Sequence, residues 1–127
     1  MNFKIDTKEK FTVITAAEDH LSDNLTEELT NTSKDLLLND KSSVVLNLKK
    51  VKSIDDEAAA KLVTLQQSFY ESNTSFVICE MQASAEEKFE ELDLLELMNV
   101  TPSESEAWDI VQMEDIEREL LDGDEKE

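Results

Sequence analysis

Hydrophobic and polar positions change period several times along the chain, and each change marks an element. Phe3-Lys4-Ile5-Asp6 and Phe11-Thr12-Val13-Ile14-Thr15, short runs rich in aromatic and β-branched residues, are strand candidates around the polar hairpin turn Thr7-Lys8-Glu9-Lys10. The spacing then becomes helical. Leu21, Leu25, Leu29, Thr32 and Leu36 fall on one helix face, with Ser22 or Asp23 as the cap and Asn39-Asp40-Lys41 as the stop. Ser43-Val44-Val45-Leu46-Asn47-Leu48 is a β-branched and leucine run, the signature of a central strand. A basic bend, Lys49-Lys50-Val51-Lys52, leads to three acids, Asp55-Asp56-Glu57, that open a second helix. Its buried stripe reads Ala58, Leu62, Leu65 and Phe69, and Glu71-Ser72-Asn73-Thr74 breaks it before the strand Ser75-Phe76-Val77-Ile78-Cys79.

The remaining third repeats the alternation. Ser84-x-x-Glu87 reads as a capping box ahead of a short helix with Ala85, Phe89 and Leu92 on its apolar face. Leu94 to Val100 could hold a brief last strand, stopped at Pro102. Ser103-x-x-Glu106 repeats the capping box before a final helix, and residues 122–127 look like an acidic disordered tail behind a domain spanning 1–121. Strands alternating with helices in this way predict an α/β fold: a mixed, mostly parallel sheet with right-handed crossovers, and one antiparallel pair from the first hairpin. On the final helix Ala107, Ile110 and Val111 lie on one side, whereas Met113, Ile116 and Leu120 drift about 100° or more around it. The later face is expected to stay exposed and to meet another copy of the chain or a partner.

Composition narrows the function. The chain has 127 residues, enough for one domain with its own core. Its formal charge is -19, unevenly placed: residues 1–79 carry 9 basic and 13 acidic groups, residues 80–127 carry 3 and 18. Such a field repels phosphate backbones and anionic lipid, so no direct binding of nucleic acid and no membrane insertion are expected, and a partner with a basic face fits better. One cysteine, Cys79, excludes an internal disulfide framework. The start, Met1-Asn2-Phe3-Lys4-Ile5-Asp6, turns polar at once, and no run of about 20 apolar residues follows. Cytoplasmic location is the default expectation.

Candidate chemistry is sparse. Gly123 is the only glycine, so no glycine-rich phosphate cradle is available. His20 is the only histidine; it reads as a solvated loop residue, and neither a Ser-His-Asp triad nor a histidine-containing zinc cluster is expected. Cys79, inside a strand pattern, reads as a small buried hydrophobe, and Trp108 as partly packed core. Asp55-Asp56-Glu57 has an electrostatic reading, in which carboxylates at a helix start cap its amides and meet the positive end of the dipole. A metal reading needs further ligands with convincing spacing, so neither a metal nor another cofactor is expected.

Taken together, the β-rich start, Val-Val-Leu-Asn-Leu at 44–48, the basic turn, the acid-led helix and Phe-Val-Ile-Cys at 76–79 resemble a STAS domain. The nearest class is the bacterial anti-sigma-factor antagonists, over about residues 3 to 121. That resemblance implies a sheet of four to five strands covered by about four helices. It also implies a binding switch. The antagonist docks onto an anti-sigma factor that is also a serine kinase, which then phosphorylates a serine at the start of the second helix, in a motif Asp-Ser-Ser-Gly. Aligned on the strand, the motif falls on Asp55-Asp56-Glu57-Ala58, so Glu57 stands at the phosphoacceptor position and Ala58 replaces the glycine.

A carboxylate has no hydroxyl to attack a γ-phosphate, so ordinary phosphoswitching is expected to be lost. Glu57 is a partial mimic of phosphoserine, with one charge against about 1.5 to 2, so either the chain is held in a released-like state or its partner's surface is adapted to the acid. The partner-binding surface implied by the resemblance comprises Ser53, Asp55, Asp56, Glu57, Lys61 and Thr64, and Ser53 and Thr64 are the neighbouring hydroxyls. Two rival expectations stand beside this one. The first is a STAS scaffold subunit of a larger regulatory or transporter-associated complex, oligomeric through Met113 to Leu121. The second is an enzyme or nucleotide binder using the three acids with a divalent ion.

Overall fold

The computed structural model describes residues 3–8 and 11–125. Five strands form the main sheet in the order β1 (Phe3–Thr7), β2 (Phe11–Ala16), β4 (Ser43–Asn47), β6 (Phe76–Cys79) and β7 (Val100–Thr101). β1 runs antiparallel to β2, with Phe3 opposite Ala16; all other neighbours are parallel. A second pairing is much smaller. β3 (His20–Leu21) and β5 (Ser53–Ile54) form a two-residue parallel bridge that alternation along the chain does not announce. Four helices complete the chain: α1 (Asp23–Asp40), α2 (Asp56–Glu71), α3 (Ala83–Glu91) and α4 (Glu104–Glu125). The mixed, mostly parallel α/β architecture is the expected one.

Burial follows the period-two geometry of strands. Within β4, Val44 and Leu46 join the core under α1, α2 and α3, while Val45 joins a second core under α4. Both faces are covered, so the strand is an unbroken apolar run rather than an alternating one. The larger core is anchored by Phe69, Phe76, Phe89, Leu46, Leu62 and Leu65, each essentially inaccessible. The smaller packs Val13, Val77 and Cys79 against Ala107 and Val111, with Phe11 stacked on Trp108 at 4.6 Å.

Several local expectations need correction. On α1 the buried face is Thr26, Leu29, Ser33 and Leu37, rotated from the expected stripe: Leu25, Thr32 and Leu36 are half-buried, and Leu21 sits in β3. Two small hydroxyl residues, Thr26 and Ser33, hold buried positions on that face, which counting large apolar residues misses. Ser84 does not cap α3, whose cap position is Gln82; its hydroxyl donates instead to Lys52 O at 2.6 Å. The expected strand over Leu94 to Val100 is a 3-10 turn at Leu95–Leu97 followed by the two-residue β7. Ser22 and Ser103 do cap, accepting from the amides of Leu25 and Glu106. Glu9 and Lys10 of the first turn, and Glu127 and Lys126 of the expected tail, lie outside the described residues.

Candidate functional site at the mouth of the second helix

The chain enters α2 through the turn at Lys49 and Lys50 and the short strand β5. Val51 and Ile54 are buried and anchor this passage, which leaves Lys52 and Ser53 facing solvent. The amides of Lys52 and Ser53 both donate to Asp19 O, and the amide of Asp55 donates to Leu21 O. β3 thereby fixes the approach to the helix. Asp55 is the N-cap residue in extended conformation, and Asp56 and Glu57 occupy the first turn.

The three acids have different surroundings. Asp55 does not cap its own helix with its side chain. Its carboxylate accepts from the amide of Asp23 at 3.1 Å, the first residue of α1, and from His20 Nε2 at 2.9 Å. The expectation that this carboxylate serves the α2 amides is therefore corrected: it satisfies an orphan donor of α1. Asp56 pairs with Lys88 of α3 at 2.8 Å, and that contact holds the Lys88 ammonium above its ordinary pKa. Glu57 is exposed and makes no hydrogen bond or ion pair among the described residues. Lys61, one turn on, feels its field but is held by Asp23 at 2.6 Å, whose hydrogen bond raises the lysine pKa.

His20 is the residue that sequence reasoning misplaced. It lies in β3, half-exposed, with Nδ1 2.6 Å from Ser53 Oγ and Nε2 2.9 Å from Asp55 Oδ1. Since a carboxylate only accepts, Nε2 carries the proton, and in the neutral ring Nδ1 accepts from the serine hydroxyl. One histidine therefore does build a Ser-His-Asp chain, against expectation. Three carboxylates crowd the same entrance, where acyl transfer would develop an oxyanion, so the charge is of the wrong sign for that chemistry. What the chain of bonds does achieve is to tie β3, β5 and the start of α2 together. Sequence separations of 33 and 35 residues hid it.

Around these groups lies an open cleft of about 620 Å³ lined by His20, Ser53, Asp55, Asp56, Glu57 and Lys88, among others. Thr64 is exposed on the next turns of α2, its hydroxyl turned back to Ala60 O at 3.3 Å. Structure thus gathers Ser53, Asp55, Asp56, Glu57, Lys61 and Thr64 along the entrance and first turns of one helix. Met113, Ile116 and Leu120 belong elsewhere, on α4, and all three are exposed.

A different acid cluster sits at the end of β6. Cys79, Glu80 and Glu104 bring ligand atoms within 4.8 Å of one another. Asn47 Nδ2 donates to both carboxylates, at 3.0 and 3.1 Å, and burial pushes the Cys79 thiol up to about 12. A protonated thiol and two carboxylates bridged by an amide are accounted for by hydrogen bonding and packing alone.

Comparison with known proteins matches this geometry to one fold. A solved anti-sigma-factor antagonist (STAS) domain protein from Planctomyces limnophilus superposes with a TM-score of 0.70 at 16% identity, over 83% of this chain and 93% of that one. The anti-sigma factor antagonist SpoIIAA in its unphosphorylated form gives 0.71 at 13%, over 87% and 96%. The murine anion transporter Slc26a9 gives 0.65 at 13%, over 85% of this chain but only 18% of the transporter. No curated protein matches the sequence. Among the described residues no helix is long and apolar enough to cross a membrane. The family model of the STAS domain matches residues 7–107, and the chain belongs to that family, with anti-sigma-factor antagonists among its structural neighbours.

Proposed function

We propose that the chain is a non-enzymatic protein-interaction module that works as an anti-sigma-factor antagonist does, by docking onto an anti-sigma factor or a similar serine-kinase protein. Its docking surface is the entrance and first turns of α2, from Ser53 to Thr64. Glu57 occupies the phosphoacceptor position, so the ordinary phosphoswitch is absent and recognition is constitutive. The observation that supports this reading is the placement of Glu57: first turn of α2, exposed, and without a bonding partner among the described residues while Asp55 and Asp56 are both engaged. An acid at a helix entrance is tolerated by the dipole, and an unengaged one is free to meet a partner.

The test is Glu57→Ser. Incubated with an antagonist-binding serine kinase and ATP, the variant is expected to gain one phosphate, detected by intact mass, and to lose affinity once modified. The introduced hydroxyl gives its proton to the kinase base as its oxygen takes the γ-phosphoryl and ADP leaves. A variant that gains no phosphate and binds the kinase no differently from the parent removes the assignment. A second reading, a scaffold or transporter-associated subunit, draws support from the shared fold of Slc26a9. It differs in predicting stable higher-order assembly of the purified chain in light scattering.

A further inference from the structure

On the opposite side of the sheet from α1, α2 and α3, helix α4 carries an apolar stripe that the α2 surface does not use. Met113, Ile116 and Leu120 are 60%, 57% and 65% exposed. At 100° per residue the three fall within about 60° of one another, roughly opposite Ala107 and Val111, which face the sheet. Exposed acids surround them: Glu106 and Asp109 one to two turns before, Glu117 and Glu119 on the flanks. Between residues 104 and 125 the helix has ten acidic residues and one basic residue, Arg118. Arg118 is turned away from the stripe, its guanidinium donating to Asp115 at 2.8 Å and to Ser75 Oγ at 2.7 Å. Glu114 joins the same network through Ser75 and Asn99, so this part of the helix is held in place.

We propose that this stripe is a docking face for a basic amphipathic helix of another protein. Its apolar side would cover Met113, Ile116 and Leu120, and lysines or arginines on its flanks would meet Glu106, Asp109, Glu117 and Glu119. Charge selects this occupant. A second copy of the chain would bring the same four acids against their equals, and an anionic membrane would be repelled for the same reason. The face lies on a different helix and a different core from the entrance of α2, so it does not depend on what binds there.

The test uses the full chain and two synthetic peptides of about 18 residues and identical lysine and leucine composition. One carries leucines at helical i, i+3, i+4, i+7 spacing, the other has them scattered. The amphipathic peptide is expected to bind about tenfold tighter by calorimetry, a difference of about 1.4 kcal/mol. Substituting Met113→Ser, Ile116→Ser and Leu120→Ser together should erase that preference, and Glu117→Lys with Glu119→Lys should weaken both peptides. Ile116→Lys alone serves as the second variant should the triple substitution unfold. Equal binding of the two peptides, a preference that survives the substitutions, or a dimer in light scattering that the triple variant dissolves would overturn the proposal.

Discussion

Asp55 and Glu57 are both acids at one helix entrance, yet their surroundings predict opposite consequences of truncation. Asp55→Ala removes the acceptor of the Asp23 amide, a capping bond made across helices, typically worth about 1 kcal/mol. It also releases His20, whose half-exposed contact at 2.9 Å adds about 0.2–1 kcal/mol if scored as a screened surface pair. The combined loss is about 1–2 kcal/mol, since Asp55 is itself close to half-exposed and part of each bond is recovered by water. At this size each kcal/mol moves the midpoint by roughly 3–5 °C, so the thermal unfolding midpoint followed by circular dichroism should fall by about 3–10 °C.

Glu57→Ala loses its interaction with the helix dipole, about 0.3–1 kcal/mol and near the lower end beside two other acids, together with the screened field that it exerts on Lys61. Its midpoint should move by no more than about 2 °C. A cycle of His20→Ala and Asp55→Ala should return a coupling of about 0.2–1 kcal/mol. Equal losses for the two single variants, or a larger one for Glu57→Ala, would refute the division into a structural acid and an available one.

Three further outcomes follow from burial. Cys79 should resist thiol reagents in the native chain and react on unfolding, because its thiol is held at about 12 against 9.0 in the open chain. The same shift has a stability consequence: the contribution is intact below pH 9.0 and is lost as pH rises towards about 12, because the unfolded thiol ionises first. The stability gap between the parent and Cys79→Ala in urea melts should stay constant below pH 9.0 and narrow above it, and a gap that is unchanged through that window would contradict it. Phe69→Ala, at a fully buried position touching Phe76, should cost about 3–5 kcal/mol in urea unfolding, and a loss under about 1.5 kcal/mol would mean that the core there is looser than described.

The parts of the fold legible in the sequence are those in which one local period controls burial. β4 is a continuous apolar run because both its faces are covered, and α2 shows its stripe because every buried residue on it, from Ala58 to Phe69, is apolar. α1 misled because Thr26 and Ser33 hold buried positions, the former with its hydroxyl returned to Ser22 O at 2.8 Å. A polar residue that satisfies itself within its own helix is invisible to a hydrophobicity count. Ser84 misled for the converse reason: a good capping residue found a stronger local use in the carbonyl of Lys52. At the candidate site the three acids and the helix they open could be read directly from the change of period, but what Asp55 and Asp56 bind could not, because their partners lie on α1 and α3. His20 could not, since its role depends on a two-residue strand pair whose partners are over thirty positions apart.

On the proposed reading, the charge already present at the α2 entrance decides how Glu57 acts. Asp55 is hydrogen-bonded by an imidazole N–H and an amide, and Asp56 is paired with an ammonium group, so Glu57 supplies the carboxylate whose oxygens an approaching surface can engage first. Phosphoserine would bring about 1.5 to 2 charges and three acceptor oxygens to such a place; the carboxylate brings one charge and two oxygens. A kinase cannot add that charge and a phosphatase cannot remove it. Occupancy of the α2 surface then depends on concentrations and on competing partners rather than on a covalent mark. A recruiting contact elsewhere, such as the acidic stripe of α4, would gain importance because binding both faces at once raises the effective concentration at each. Affinity for a partner that spans both faces should therefore fall sharply when either Glu57 or the Ile116 stripe is altered, while loss of one face should leave the other's intrinsic affinity unchanged.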